Sequence, residues 1–159
     1  MPTKSIQLPP PPGLKKVVIL DRKSTGVQGG TFTSGAWRTR DLTTVEGDTS
    51  LVSLSNNQFT LPGGSYIIWT HSCARGVLSH QTRLYNITDS SVAAEGSSGN
   101  SPSTGFARAP FSSVHTQITI GSATTFELQH ICETTAVGSG FGTASGANPT
   151  YSQITVLKL

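Results

Sequence analysis

Short apolar and polar positions alternate along nearly the whole chain, and turn residues interrupt them at close intervals. A period-two pattern broken by Gly, Pro, Asn and Ser predicts strands. No long window carries helical periodicity. Strands are expected at residues 16–20, 29–33, 36–42, 51–54, 58–61, 66–73, 81–87, 91–94, 114–120, 125–132 and 151–159. Hairpins are expected around Ser34-Gly35 and Ser55-Asn56-Asn57, and a turn at Thr88-Asp89-Ser90. Residues 95–104 and 138–149 are rich in Gly and Ser and read as loops. About eight to ten of these short segments, as strands with polar turns between them, build an all-β fold, a jelly-roll β-sandwich.

Two stretches stand out. In Phe59-Thr60-Leu61-Pro62-Gly63-Gly64-Ser65-Tyr66-Ile67-Ile68-Trp69 a strand ends at Leu61, and Pro-Gly-Gly turns the chain tightly. The run that follows is apolar at successive positions, as in a strand buried on both faces, inside a sandwich or at a subunit contact. The closing strand alternates Ser152, Ile154 and Val156 with Tyr151, Gln153, Thr155, Leu157 and Leu159. It too has apolar groups on both faces, which marks a central strand with one face in the core and one at a subunit contact.

Residues 1–14 form an extended Pro-rich arm ahead of a domain at 15–159. Pro9-Pro10-Pro11-Pro12 favours polyproline II and Gly13 ends it. A pre-extended segment loses little entropy on docking. Lys4, Ile6, Leu8, Pro9, Pro10, Lys15 and Lys16 are therefore the candidate anchoring residues.

The 159 residues suffice for one domain with a real core. The net charge of +3 is uneven: residues 1–40 carry Lys4, Lys15, Lys16, Arg22, Lys23, Arg38 and Arg40 against Asp21 alone, and the remainder is net acidic. A basic leading segment suits an acidic protein surface. The basic residues are sparse and match no nucleic-acid-binding motif, so nucleic acid is not an expected partner. No apolar run is long enough for a transmembrane helix, and residues 1–14 lack the apolar region of a secretion signal. Synthesis in a host cytoplasm is the expectation, and membrane is not an expected partner. Two cysteines, Cys73 and Cys132, do not make a disulfide framework.

Candidate chemistry is thin. His71-Ser72-Cys73 and His130-Ile131-Cys132 each place two ligand types on one strand face. Two such pairs facing each other would make a tetrahedral zinc site, but the spacing is not that of structural zinc modules. Buried thiols and core histidines are the expectation, with no metal and no cofactor. Gly138-Ser139-Gly140-Phe141-Gly142 lacks the Lys-Ser/Thr and the helix of a phosphate loop. Asn86-Ile87-Thr88 reads as a hairpin turn with Asp89. The acids are scattered and no Gly-x-Ser-x-Gly elbow occurs, so an enzyme is not expected.

Four segments carry a resemblance. They are Gly35-Ala36-Trp37-Arg38-Thr39-Arg40-Asp41-Leu42; residues 59–66; Ala74-Arg75 with Gln81-Thr82-Arg83-Leu84-Tyr85-Asn86-Ile87-Thr88-Asp89; and Thr124-Thr125-Phe126-Glu127-Leu128-Gln129-His130 with residues 151–159. Over residues 17–159 the chain resembles small phage virion proteins whose domain is similar to the tumour-necrosis-factor and complement-globular-head jelly rolls. That resemblance implies a ten-stranded jelly roll, a homotrimer around a three-fold axis and a place on the virion surface. It places Tyr66, Ile68 and Trp69 near the axis; with Tyr151 and Leu157 of the last strand they form the candidate trimer interface. Two functions follow from it. One is a homotrimeric capsid decoration or cement protein that docks on the major capsid protein through its arm and stabilises the shell. The alternative is the receptor-binding head of a tail fibre, taking cell-surface glycan on the loops at 96–106 and 138–151, with Phe106, Phe141 and Tyr151 as stacking platforms. The short arm, with no shaft, favours decoration.

Overall fold

A computed structural model describes residues 13–104 and 110–159. Lys4, Ile6, Leu8, Pro9, Pro10 and Phe106 lie outside the described residues. Twelve strands follow one another: β1 (Lys15–Arg22), β2 (Arg38–Thr39), β3 (Thr44–Gly47), β4 (Ser53–Ser55), β5 (Gln58–Leu61), β6 (Gly64–Cys73), β7 (Leu78–Asn86), β8 (Ser91–Ser101), β9 (Phe111–Ser112), β10 (His115–Ile120), β11 (Thr124–Cys132) and β12 (Thr150–Lys158). One turn of 3₁₀ helix at Thr49–Leu51 interrupts them, started by the Asp48 side chain, which accepts from the Ser50 amide.

The strands form two six-stranded sheets. The first runs β10-β6-β12-β1-β3 with β9 also on β6; the second runs β4-β5-β11-β7-β8 with β2 on β11. Every pairing between strands is antiparallel. Only β4 and β5, β7 and β8, and β9 and β10 follow each other within one sheet; at every other step from strand to strand the chain changes sheet. Two antiparallel sheets joined by such crossings form a jelly-roll sandwich. Both β6 and β12 lie inside the first sheet, with partners on either side.

The inner faces meet in one core. β1 contributes Val17 and Ile19, β5 Phe59 and Leu61, β6 Tyr66 and Ile68, β11 Phe126 and Leu128, and β12 Ile154 and Val156. Each is an alternate residue of its strand, as the pleat requires. A smaller cluster of Phe32, Ala74, Val77 and Cys132, with Ala136 and Phe141 against it, fills one end of the sandwich.

Three expectations change. Residues 29–33 and 36–42 do not pair with each other as a hairpin. Gly30 bridges Ser139, Phe32 bridges Ala136, and Arg38–Thr39 joins β11. Phe32 is fully buried, and its apolar partners are in the end cluster, not across Ser34-Gly35. Residues 95–101 are not loop but the second half of β8. There the small residues serve a close approach: a Cβ on Gly96 would lie 2.6 Å from Thr82 Oγ1 and 2.9 Å from the Ser113 carbonyl oxygen. The run at 66–69 is not buried on both sides, because its alternate residues part between core and surface.

Candidate functional site

The outer face of the first sheet is built by the residues of β10, β6 and β12 that the pleat turns away from the core. Tyr66, Ile68, Thr70 and Ser72 are buried on the inside, so Ile67, Trp69 and His71 face outward. Register sets His115 opposite Trp69 on one side and Thr155 opposite it on the other. Gln153 stands opposite His71, and Leu157 opposite Ile67. Gln117 and Thr119 extend the face along β10. The indole of Trp69 is 39% exposed at its centre. Phe111, 47% exposed, lays its ring 4.3 Å from the His71 imidazole.

Among the described residues, no Lys, Arg, Asp or Glu stands on this part of the sheet. The charges begin at its borders, with Lys158 at the end of β12 and the Arg22–Glu46 ion pair between β1 and β3. A depression of about 370 Å³ lies over Trp69, Thr70, His71, Ser113, His115, Gln153 and Thr155. It is open and shallow, with hydroxyls, amides and imidazoles around one indole. An uncharged strip with an exposed aromatic centre suits a flat protein contact better than a reaction.

Tyr66 and Ile68 are corrected by this geometry. Both have no exposed surface in the single chain, so neither side chain can touch a second copy. Tyr66 instead closes the turn before β6, its hydroxyl donating to the Pro62 carbonyl at 2.7 Å. Tyr151 is also buried, and its hydroxyl donates to Val27 O at 2.7 Å. Trp69 and half-buried Leu157 stand on the open face.

Below this face lies a buried polar knot. Arg40 is fully buried, and its guanidinium reaches Ser152 Oγ at 2.8 Å, Tyr151 O at 2.9 Å, and the Phe141 and Cys73 carbonyls at 3.3 Å. Asp21 stands 4.0 Å from it and also pairs with Lys23 at 3.2 Å. Burial pulls the Arg40 pKa below its ordinary value, and neighbouring groups including Asp21 oppose that. Burial pushes Asp21 up, against the pull of Lys23 and Arg40. A fully buried guanidinium held by four hydrogen-bond acceptors and the Asp21 carboxylate is structural.

The two His-x-Cys pairs do not meet. His71 and Cys73 belong to the first sheet, His130 and Cys132 to the second. Both cysteines are free. Burial pushes Cys132 up to about 11 and also raises Cys73, so both stay thiols at neutral pH. Among the described residues no three of His, Cys, Asp and Glu gather as a metal site. His130 is paired instead with His80, Nδ1 of His80 lying 3.0 Å from Nε2 of His130.

The loop at 138–149 bears no exposed aromatic platform among the described residues. Phe32 stacks on Phe141 at 4.3 Å and the Arg40 guanidinium lies 4.2 Å above its ring, so the ring's faces are occupied. Tyr151 is spent on Val27. As receptor platforms, Phe141 and Tyr151 are therefore corrected to packing residues. Next to the arm, Lys15 is exposed and makes a loose ion pair with Asp48 at 3.6 Å, and Lys16 points outward.

Outward Ile67, His71, His115, Gln153 and Phe111 were missing from the sequence expectations, as were Arg40 and His80. Alternation from a buried Tyr66 marks the first of these; nothing in the sequence marks Arg40 as interior.

No protein-family model matches the sequence, and no curated protein sequence is similar to it. Among solved structures, crystal structures of murine APRIL at pH 8.0 and pH 8.5 align with 92% of this chain and 99% of theirs, with a TM-score of 0.49 and 8% identity. Function does not transfer across a likeness of that size. The all-β, two-sheet jelly roll stands on the strand order itself. No helix among the described residues is long and apolar enough to cross a membrane.

Proposed function

We infer that this protein is a structural component of a phage virion, a homotrimer on the capsid surface that clamps neighbouring shell subunits through its N-terminal arms. The observation that carries the reading is the uncharged outer face of β10, β6 and β12, centred on exposed Trp69. Such a face is removed from water by a second and third copy, each presenting the same strip. The basic residues ahead of and within β1 supply attraction to an acidic shell. Three arms on one trimer bind far more tightly than one, because the second and third contacts are intramolecular. Binding only the assembled shell stabilises it by mass action. The glycan-binding alternative gains no support from the loop at 138–149, whose aromatic rings are buried or stacked.

Co-sedimentation with capsids lacking the protein tests this. The full chain is expected to sediment with capsids, and a chain without residues 1–14 to stay in solution. Failure of the full chain to bind, with a trimer intact, overturns the decoration reading and leaves the assembly untouched.

A further inference from the structure

One end of the sandwich is closed by two loop segments. Gly30 and Phe32 are bridged to Ser139 and Ala136, and Gly29 donates to the Gly142 carbonyl at 3.0 Å. The segments are tightly fitted: a Cβ on Gly140 would lie 2.6 Å from that of Phe32. Their apolar residues, Phe32, Ala136 and Phe141, pack on the end cluster and not on the main core. A cap held by a small separate cluster opens locally at a lower free energy than the whole domain.

The floor of this cap is the imidazole pair. His130 of β11 is fully buried and His80 of β7 nearly so. Phe32 lies 4.8 Å from the His130 ring and Phe141 6.4 Å from it. At 3.0 Å, Nδ1 of His80 and Nε2 of His130 share one proton between them. His130 Nδ1 has no hydrogen-bond partner.

Among the described residues, the charged and titratable groups around His130 are few. Arg38 sits opposite it in the β2–β11 register and spends its guanidinium on the Thr33 and Ser34 carbonyls. Arg40 lies over Phe141, and its charge disfavours a second one at His130. Cys73 and Cys132 are neutral thiols. Phe32 and Phe141 carry no charge. Glu133 accepts from the Ser79 amide at 3.3 Å and lines an open depression beside His80, on the solvent side of the pair. Asp21 faces Arg40 from its other partners and is already paired with Lys23. No carboxylate is set against His130.

We propose that the His80–His130 pair is an acid-released latch, holding the cap of residues 29–33 and 136–142 shut while the imidazoles are neutral and opening it when His130 takes a proton. The linkage has one sign. Burial, then Arg40 and His80, hold His130 well below the ordinary histidine value. The closed cap thus binds fewer protons than the open one, and acid favours opening. The stabilisation is full above about pH 6.5 and is lost as pH falls below it. Between pH 7.5 and pH 5.0, one histidine protonated only in the open form raises the open-to-closed ratio by up to about 30-fold. Opening bares Phe32, Phe141 and the Arg40 guanidinium, an apolar cationic surface that the closed protein hides.

Amide hydrogen exchange on the full chain, corrected for the intrinsic pH dependence, tests the latch. Expected is an increase in opening of about ten- to 30-fold at pH 5.0 over pH 7.5 for peptides covering 29–33 and 136–142, with β5 and β12 unchanged. H130Q, which keeps a donor toward His80 without a titrating ring, is expected to abolish the difference. Equal protection of the cap at both pH values in the wild type overturns the proposal, as does an undiminished difference in H130Q. Should H130Q fail to fold, the wild-type imidazole resonances decide: His130 shifting with an ordinary midpoint near 6.5 while the cap stays protected also overturns it.

Discussion

Arg40 is the residue on which several elements depend. It ties β12 through Ser152 and Tyr151, the end of β6 through Cys73, and the capping loop through Phe141. Replacing it by Leu leaves Asp21 buried with one less counter-charge and several carbonyls without donors. R40L is expected to lower stability by about 3–5 kcal/mol, read from the denaturant midpoint. Tyr66 makes a different case. Its ring is in the core and its hydroxyl closes the Pro62 turn, so Y66F is expected to cost about 1 kcal/mol and leave the oligomeric state as it was. A change in assembly on Y66F would return this residue to the interface.

At the scale of elements, legibility followed the kind of signal. The β4–β5 hairpin was readable because Asn56 and Asn57 both take positive φ, as a two-residue hairpin turn requires. The β7–β8 turn was readable because the Asn86 side-chain carbonyl accepts from the Asp89 amide, and its amide donates to the Asp89 carboxylate. The second half of β8 was not, because Gly and Ser there report close approach, with Ser97 N donating to Ser113 O at 2.8 Å, and not a loop. G96V is expected to push β8 off Thr82 and Ser113 and to cost about 1–3 kcal/mol, seen as a lower thermal midpoint and faster exchange in β8. The pairing of residues 29–33 with 136–142 was likewise hidden, since contacts a hundred residues apart leave no local pattern. On β6 the period-two rule held, but Tyr66, Ile67, Ile68 and Trp69 are all apolar, so composition alone could not say which pair faced in.

For the whole molecule, a jelly roll of two six-stranded sheets positions one uncharged face and one loop cap. The face argues for assembly and the cap for a response to acid, and they are independent. W69D would place a charge at the centre of the strip without disturbing the core behind it, and is expected to give a folded monomer.

Light scattering on the full chain after size exclusion addresses the assembly most directly. A trimer scatters as a species of about 50 kDa, three times the 16.6 kDa chain, and W69D is expected to convert it to a folded single chain. A wild-type protein that elutes and scatters at 16.6 kDa across micromolar concentrations would contradict the trimer.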